Sequence, residues 1–303
     1  MHDFCILIQK KMLRRVQKYI RDEHLFRACE RVLVCVSGGA DSVALWDVLM
    51  RGGYECVAAH CNFHLRGEES DRDEQFVRQM AAKRGVKLLV KDFDTCGYQK
   101  ARQVSMEVAA RELRYRWFDE VARENGCVAV AVAHHQNDQA ETVLMNLRRG
   151  AGLRGMGGMR AKSRNPIVES EISIVRPLLC TTRDYIRHYL RDIRHIGWVE
   201  DSTNEDTTIL RNAIRQELAG YSKAEIEHIA ETAYRMQGYM DMLDGEESRA
   251  AGICRLYEEL KDCGAAEIDK IYDAMQQDAG GKRWETSTHV ITLRKHTLQI
   301  EKK

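Results

Sequence analysis

The sequence predicts an α/β fold in which a parallel sheet carries helices on both faces, followed by a small α+β C-terminal domain. Three observations predict it. Short apolar runs such as "CVAVAVA" (127–133) are typical of strands buried on both faces. Amphipathic stretches with apolar residues every three or four positions, as over 105–125, separate these runs. This alternation is typical of a Rossmann-like parallel sheet joined by right-handed crossovers.

The elements are expected in a regular order along the chain. A basic amphipathic helix within 1–30 leads into the sheet. The predicted strands cover 31–36, 55–60, 86–90 and 127–133. Helices are expected over 42–50, 74–85 and 105–125, and a further helix begins after an N-cap at Thr181 or Thr182. A boundary near 217 separates the sheet domain, 31–217, from a small domain, 218–303, that ends in two short strands within 289–300.

The composition is that of an ordinary globular protein. Hydrophobic residues make up 44% and charged residues 31% of the 303 residues, and the net charge is +1. The stretch 148–215, however, holds thirteen lysines or arginines against eight aspartates or glutamates. This excess favours one basic face that meets an anionic partner, although chance asymmetry on a solvated surface would give the same count.

The cysteines and the apolar runs indicate in which cellular compartment the protein is expected. None of the ten cysteines lies in a Cys-x-x-Cys pair, and the N-terminal run "FCILI" is too short for a signal peptide. No apolar run approaches the roughly 20 residues that span a bilayer. We therefore expect reduced cysteines, a cytoplasmic location and no membrane association.

The segment "VCVSGGADSVAL" (34–45) is a strand-to-helix junction rich in glycine and serine. Free backbone N–H groups and the helix dipole favour an anion there. The lysine of the common phosphate loop is missing. Two hydroxyls, Ser37 and Ser42, and one acid, Asp41, stand in its place and suit a pyrophosphate with its Mg²⁺. The loop thus favours ATP, while a simple glycine turn capped by Asp41 and Ser42 stays open.

The pattern S-G-G-x-D-S after a buried strand resembles the pyrophosphatase loop (PP-loop) of the N-type ATP pyrophosphatases. Further stretches narrow the resemblance: "HCNFHLRG" (60–67), "AHHQNDQAETVLMNL" (133–147), "GAGLRGMGGM" (150–159), "RPLL" (176–179) and "WVEDSTNEDTTILRNAIR" (198–215). Together, from Val32 to Arg215, they closely resemble the tRNA(Ile)-lysidine synthetase family.

This resemblance implies a ligase that uses ATP and Mg²⁺ and has a PP-loop catalytic domain over 31–217. The family joins free lysine to the wobble cytidine of tRNA(Ile) with a CAU anticodon. The cytosine carbonyl first attacks the α-phosphate of ATP, which gives an adenylated base and pyrophosphate. The lysine amine then displaces AMP. The C-terminal domain is expected to contact tRNA, and the oligomeric state stays open, with a homodimer as one option.

The resemblance also assigns residues. The catalytic set is Asp41, Asp138, Arg111 and Arg211. The Mg²⁺ ligands are Asp41 and Asp138. The ATP-binding set is Ser37, Gly38, Gly39, Ala40, Asp41, Ser42, His60 and His134. The tRNA-binding set is Arg148, Arg149, Arg154, Arg160 and Arg215.

Simpler interpretations exist for several of these residues. Asp138 could cap a helix with Glu141 three positions on. Arg111 could form a solvated i,i+4 pair with Glu107. The four histidines around the strand ends suggest zinc only weakly, because no cysteine pair joins them.

Three other functions stay open at this level. A sister PP-loop enzyme that thiolates a tRNA cytidine would need paired cysteines. A ligase acting on a small molecule would share the ATP loop but has no use for the basic stretch 148–215. A nucleotide-sensing, tRNA-binding protein without turnover would keep the loop and the basic face but release no pyrophosphate.

Overall fold

The computed structural model describes residues 2–200, 209–260, 263–277, 281–285, 289–294 and 297–303. Within these ranges the side chains of residues 2–10, 209–212, 265, 266, 297 and 302 lie outside the description. The helices are α1 (His2–Asp22), α2 (Ala40–Arg51), α3 (Glu68–Arg84), α4 (Thr95–Arg102), α5 (Met106–Glu124), α6 (Gln136–Arg148), α7 (Leu153–Met156), α8 (Arg183–His188), α9 (Ile209–Ala219), α10 (Lys223–Asp244), α11 (Arg249–Glu259) and α12 (Ala265–Gln276). The strands are β1 (Arg31–Cys35), β2 (Glu55–Asn62), β3 (Leu88–Asp92), β4 (Ala129–Ala131), β5 (Lys162–Ser163), β6 (Ser173–Val175), β7 (Arg283–Glu285), β8 (His289–Arg294) and β9 (Thr297–Lys302).

The chain divides into two compact units. The first comprises Met1–Met145 and Met159–Ala230, and the second comprises Asn146–Gly158 and Glu231–Lys303. None of the helices described is long and apolar enough to cross a membrane.

The first unit is built on a mostly parallel sheet, as predicted. Its strand order is β3-β2-β1-β4-β6-β5, and only β5 pairs antiparallel, with β6. Side chains alternate across the central strand because a strand has a period of two. Val32 and Val34 of β1 join one apolar cluster with Trp46 of α2, while Leu33 joins a second cluster with Phe118 of α5. Helices therefore cover both faces, which explains the continuous apolar runs.

The predicted helix over 105–125 is confirmed as α5, and its start has a clear local cause. The side chain of Ser105 accepts a hydrogen bond from the backbone N–H of Val108, which caps the first turn. Likewise Thr182, one of the two expected caps, accepts from the N–H of Tyr185 at the start of α8. After α8 the chain continues as a π-helix, Tyr189–Arg194, which the sequence did not predict.

The second unit contains α11, α12 and a three-stranded antiparallel sheet in the order β7-β8-β9. The two strands expected within 289–300 are present as β8 and β9. Residues 146–158 group with this unit rather than with the sheet domain. Within the unit, Arg154 forms a two-pronged pair with Asp244 at 2.9 Å, and the side-chain amide of Gln237 donates to the carbonyl of Gly157. The compact units thus divide after Ala230, whereas the sequence predicts the domain boundary at 217.

Candidate active site

The glycine-rich loop between β1 and α2 is held in shape by its own serines. The Ser42 hydroxyl accepts from the N–H of Ser37 at 3.2 Å, donates to the carbonyl of Gly39 at 2.9 Å and lies 3.1 Å from the Ser37 hydroxyl. Gly38 has a φ of +96°, which residues with a side chain rarely adopt. Its carbonyl accepts from the N–H of Val199 at 2.9 Å. The loop is therefore preorganised before any ligand binds.

Two carboxylates converge on one histidine at the carboxyl ends of β1 and β4. Nε2 of His135 lies 3.4 Å from an oxygen of Asp41 and 3.4 Å from an oxygen of Asp138. The His135 side chain is fully buried. The second oxygen of Asp41 is buried and has no hydrogen-bond partner among the described residues. This arrangement brings together the two acids that the sequence assigned to catalysis.

The N-cap interpretation of Asp138 is partly correct. Asp138 is the third residue of α6, and its carboxylate accepts from the N–H of His135, just before the helix, at 3.0 Å. This is the reciprocal half of a capping box, with the cap position at His135 rather than at Asp138. Because that bond occupies only one oxygen of the carboxylate, a structural and a functional role are compatible.

The electrostatics keep this site anionic. Burial acts to raise the pKa of Asp138, but His135, His134, the N–H of His135 and Arg183 together hold this pKa below its ordinary value. Burial lowers the pKa of His134 to about 4, although Asp138 opposes this change. At neutral pH we therefore expect an ionised Asp138 beside an uncharged His134.

These acids fit a magnesium ion bound together with substrate. Mg²⁺ usually takes one or two carboxylates plus phosphate oxygens and water. Asp41 and Asp138 supply two carboxylates, and one oxygen of Asp41 has no hydrogen-bond partner among the described residues. Over the part of the chain that the structure describes, no group of three or more His, Cys, Asp or Glu is placed to hold a metal ion. Phosphate oxygens would thus have to complete such a site.

A cavity of about 320 Å³ opens beside the loop, within the usual range for a small-molecule site. Its polar lining residues are Ser37, Gly39, Asp41, Ser42, Arg114, His134 and Asp138. Its other lining residues are Cys35, Val36, Ala59, Cys61, Phe63, Tyr115, Phe118, Val132 and Ala133. One end therefore suits phosphates and the other a flat, apolar base. We call it the nucleotide cavity.

A second cavity of about 200 Å³ adjoins the first, and we call it the side cavity. Its lining residues are Ser37, His60, Cys61, Asn62, Phe63, Leu65, Arg66, Ser70, Asp73 and Arg114. Ser37, Cys61, Phe63 and Arg114 line both cavities. His60, which the sequence assigned to ATP, lines the side cavity but not the nucleotide cavity, and Nδ1 of its ring bonds the carbonyl of Val36 at 2.8 Å.

The arginine of α5 assigned to catalysis lies near this centre. The guanidinium of Arg111 stacks over the ring of Tyr115 at 5.0 Å, and Tyr115 lines the nucleotide cavity. The positive charge of Arg111 also helps to lower the pKa values of His134 and the buried Arg176, for both of which burial is the main cause. Arg111 thus lies next to a lining residue of the nucleotide cavity but does not line the cavity itself.

The remaining arginines that the sequence assigned to the site differ in the exposure of their side chains. Arg148, Arg149 and Arg160 have exposed side chains, as does Arg154 even though it pairs with Asp244. Arg215 donates to the buried Glu141 at 3.0 Å and is only 30% exposed. Its guanidinium is therefore partly occupied inside the protein, which weakens its assignment to tRNA. Arg211 lies on α9, but its side chain is outside the described residues.

The sequence missed one residue of this centre, His135, and one buried charge close to it, Arg176, which acts on His134. His135 was noted with its neighbours but not assigned to the site, because two adjacent histidines give no indication of which one points inward. Arg176 lies in "RPLL" and is 9% exposed, and it donates to the carbonyl of Arg160 and to Ser163. The only available signal for Arg176 was its place in a motif of the resemblance.

Comparisons with known proteins agree with this geometry. Residues 8–221 match the model of the PP-loop domain family. A U34-tRNA thiolase of Methanococcus maripaludis shares the fold with a TM-score of 0.58 over 87% of each chain, at 15% identity. The fold and the site therefore define a protein of the PP-loop class.

Relatives of known activity narrow this class. A tRNA(Ile)-lysidine synthase of Parabacteroides distasonis is 41% identical over 95% of this chain and 70% of its own length. One of Bacteroides thetaiotaomicron is 51% identical over 68% of this chain, and one of Porphyromonas gingivalis is 50% identical over 68%. The chain spans less than half the length of these last two, 46% and 44%. The chain belongs to the tRNA(Ile)-lysidine synthase family.

Proposed function

We propose that this protein joins lysine to the wobble cytidine of tRNA(Ile) with a CAU anticodon, and converts ATP to AMP and pyrophosphate. The observation that carries the proposal is the convergence of Asp41 and Asp138 at the polar end of the nucleotide cavity, beside a preorganised loop. An ATP-dependent enzyme needs such a pair next to the phosphates. The family membership supplies the substrates.

The first step requires the β- and γ-phosphates to be held while the α-phosphate is attacked. The backbone N–H groups of the loop and the N-terminal end of α2 suit the departing pyrophosphate. Asp41 and Asp138 would hold Mg²⁺, which neutralises the phosphate charge when it is bound. Arg111, a planar cation stacked on the cavity residue Tyr115, would suit negative charge that develops on the α-phosphate. Arg211 is proposed to stabilise the same phosphate charge together with Arg111.

The second step follows from leaving-group chemistry. A cytosine carbonyl oxygen is a poor leaving group, whereas the same oxygen carried as AMP is a good one. The lysine amine attacks the activated ring carbon, a carbon–nitrogen bond forms, and AMP departs with the electron pair of the broken carbon–oxygen bond. The amine must be neutral to attack, and its nitrogen gives up a proton as the carbon–nitrogen bond forms.

The tRNA would be held by arginines of the basic stretch. Arg148, Arg149, Arg154 and Arg160 are exposed, and contacts of arginine with phosphates position a nucleic acid without reading its sequence. The wobble base would leave its stack to reach the cavity, as bases recognised in single-stranded loops do. We place this reaction in the cytoplasm and leave the oligomeric state open.

Transfer of labelled lysine to tRNA tests the proposal. The protein is incubated with ATP, Mg²⁺, labelled lysine and unmodified tRNA(Ile) bearing CAU, with tRNA(Met) of the same anticodon as the control. We expect ATP-dependent, acid-precipitable label on tRNA(Ile) alone. Pyrophosphate release without label would reject lysine as the substrate. Neither label nor pyrophosphate would instead indicate a tRNA-binding protein without turnover.

A thiolation activity is not favoured. The thiolase shares the fold alone, at 15% identity, whereas the relatives at 41% to 51% identity are lysidine synthases.

A further inference from the structure

The peptide unit between Gly38 and Gly39 has a definite direction in the glycine loop. A peptide unit is planar and trans, so its C=O and its N–H point in opposite directions. The N–H of Gly39 donates to the Ser37 hydroxyl over a long 3.4 Å, and Gly39 and Ser37 both line the nucleotide cavity. The carbonyl of Gly38, at the other side of the same peptide unit, accepts from the N–H of Val199 at 2.9 Å. The N–H therefore faces the cavity, and the carbonyl faces away from it.

Two adjacent glycines fix this direction poorly by themselves. Glycine adopts positive and negative φ about equally well, so the peptide unit between Gly38 and Gly39 meets little steric resistance to rotation. After such a rotation the carbonyl of Gly38 would face the cavity, and its partial negative charge would repel a phosphate. The bond to Val199 opposes the rotation, because it forms only while the carbonyl points away from the cavity.

Val199 is itself firmly held. The N–H of Ile196 donates to the carbonyl of Leu190 at 3.0 Å, and Trp198 packs against the apolar cluster on the α2 face of the sheet. A Cβ added to Gly38 would lie 3.6 Å from a methyl group of Val199, so the two residues are close neighbours. Val199 does not line the nucleotide cavity. It thus contacts the loop from outside the cavity, on a segment that is anchored to the sheet domain.

We propose that the backbone N–H of Val199 acts as a clip that keeps the N–H of Gly39 turned toward the pyrophosphate part of bound ATP. Val199 is then a positioning residue, because it acts on the ligand only through the peptide unit between Gly38 and Gly39. This inference rests on the proposed function, in which the loop holds the β- and γ-phosphates. Affinity for a ligand falls with the fraction of the protein that is in the binding-competent conformation, so the clip raises the affinity for ATP.

Removal of a single N–H tests the clip. In an ester variant of Val199 the α-hydroxy acid of valine replaces valine, which keeps the side chain and loses only the N–H. Val199→Pro removes the same N–H, because proline has none. If Val199→Pro does not fold, the ester variant decides the test.

Two control variants keep the clip. Val199→Ala shortens the side chain but retains the N–H. Gly197→Pro places a proline at an exposed position of the same segment, where an added Cβ would meet no atom within 4 Å. Both controls should behave as wild type.

Binding of ATP and AMP separates the clip from a general structural role. Each protein is titrated with either nucleotide in the presence of Mg²⁺. For the ester variant and Val199→Pro we expect the affinity for ATP to fall roughly 3- to 10-fold, the effect of one neutral hydrogen bond. AMP carries no pyrophosphate, so its affinity should stay unchanged. An equal loss for both nucleotides, or an unchanged ATP affinity in the folded ester variant, would overturn the clip.

The kinetics of pyrophosphate release give a second readout. With ATP and tRNA(Ile), loss of the clip should raise KM for ATP by the same factor and leave kcat nearly unchanged, because bound phosphates hold the peptide unit in place. A fall in kcat with an unchanged KM would contradict the clip.

The amide of Gly39 reports on its ligand directly. Inorganic pyrophosphate with Mg²⁺ should shift the ¹⁵N–¹H resonance of Gly39 in wild type, and an unmoved resonance at saturating pyrophosphate would overturn the proposal. A wild-type protein that binds ATP no more tightly than AMP would instead overturn the proposed function of the loop. Failure of the clip alone leaves the preference of wild type for ATP intact, so the two failures are distinguishable.

Discussion

Nε2 of His135 lies 3.4 Å from a carboxylate oxygen of Asp41 and 3.4 Å from a carboxylate oxygen of Asp138. The sequence predicted the two acids, because they lie in motifs that follow buried strands. It did not predict His135, because only the folded path of the chain turns this ring inward and leaves His134 lining the cavity.

The glycine loop gives a prediction at the same scale. In Gly38→Ala the backbone of a residue that carries a side chain must adopt a φ near +96°. Such strain costs about 1–3 kcal/mol. An added Cβ would meet Val77, Phe76 and Val199 only at ordinary distances of 3.5 to 3.6 Å, so the cost comes from the backbone. We expect a lower free energy of unfolding in urea and weaker ATP binding.

Gly39→Ala is the matched control. Gly39 has an ordinary φ of −69°, and an added Cβ would meet no atom closer than 3.5 Å. Its stability should stay near wild type, while ATP binding weakens if the loop cradles phosphate. Equal stability of the two variants would contradict the role assigned to the positive φ of Gly38.

At the scale of elements, a buried ion cluster joins α2, α3 and the π-helix. Asp47 of α2 accepts from the hydroxyl of Tyr189 at 2.6 Å, from Arg194 at 2.9 Å and from Arg84 of α3 at 3.3 Å. The helix that begins at the glycine loop is thereby fixed to the π-helix, which directly follows α8. Periodicity predicted α2 and α5. It could not predict the two-residue β5 or the π-helix, because a periodic pattern of apolar residues needs a longer and more regular element.

This cluster predicts a large loss of stability on substitution. Asp47→Ala leaves two guanidinium groups and a phenol without their shared acceptor, which costs about 3–5 kcal/mol. Asp192→Ala is the control, because Asp192 of the same π-helix also pairs with an arginine and a histidine but is exposed. Its removal should leave the urea midpoint nearly unchanged. Similar midpoints for the two variants would contradict the account of the cluster.

At the scale of the whole molecule, the sequence predicted the architecture of the sheet and the family, because the motifs follow the strand ends in the right order. It did not predict that 146–158 would group with the second unit. The pair of Arg154 with Asp244 joins residues 90 positions apart, and no local pattern reports such a contact. The basic stretch is therefore divided between the two units, with Arg148, Arg149 and Arg154 in the second and Arg160 in the first.

The exposed arginines predict the salt dependence of tRNA binding. Each phosphate contact that is lost should lower the slope of log affinity against log salt by about 1. Combined Arg148→Gln and Arg149→Gln should therefore weaken tRNA binding and flatten this slope, as measured by filter binding at several salt concentrations. Arg123→Gln is the control, because Arg123 is an exposed arginine in the last turn of α5, just before the amino end of β4, whereas the loop follows the carboxyl end of β1. An unchanged slope in the double variant would remove these arginines from the tRNA interface.

The central claim is the chemical identity of the product. Unmodified tRNA(Ile) with CAU is treated with protein, ATP, Mg²⁺ and lysine, digested to nucleosides and analysed by mass spectrometry, with Asp138→Asn run in parallel. We expect the wobble cytidine to gain the mass of lysine less one water, and the Asp138→Asn reaction to leave it unmodified. A wobble cytidine that stays unmodified with folded wild-type protein, or that gains sulfur instead, would contradict it.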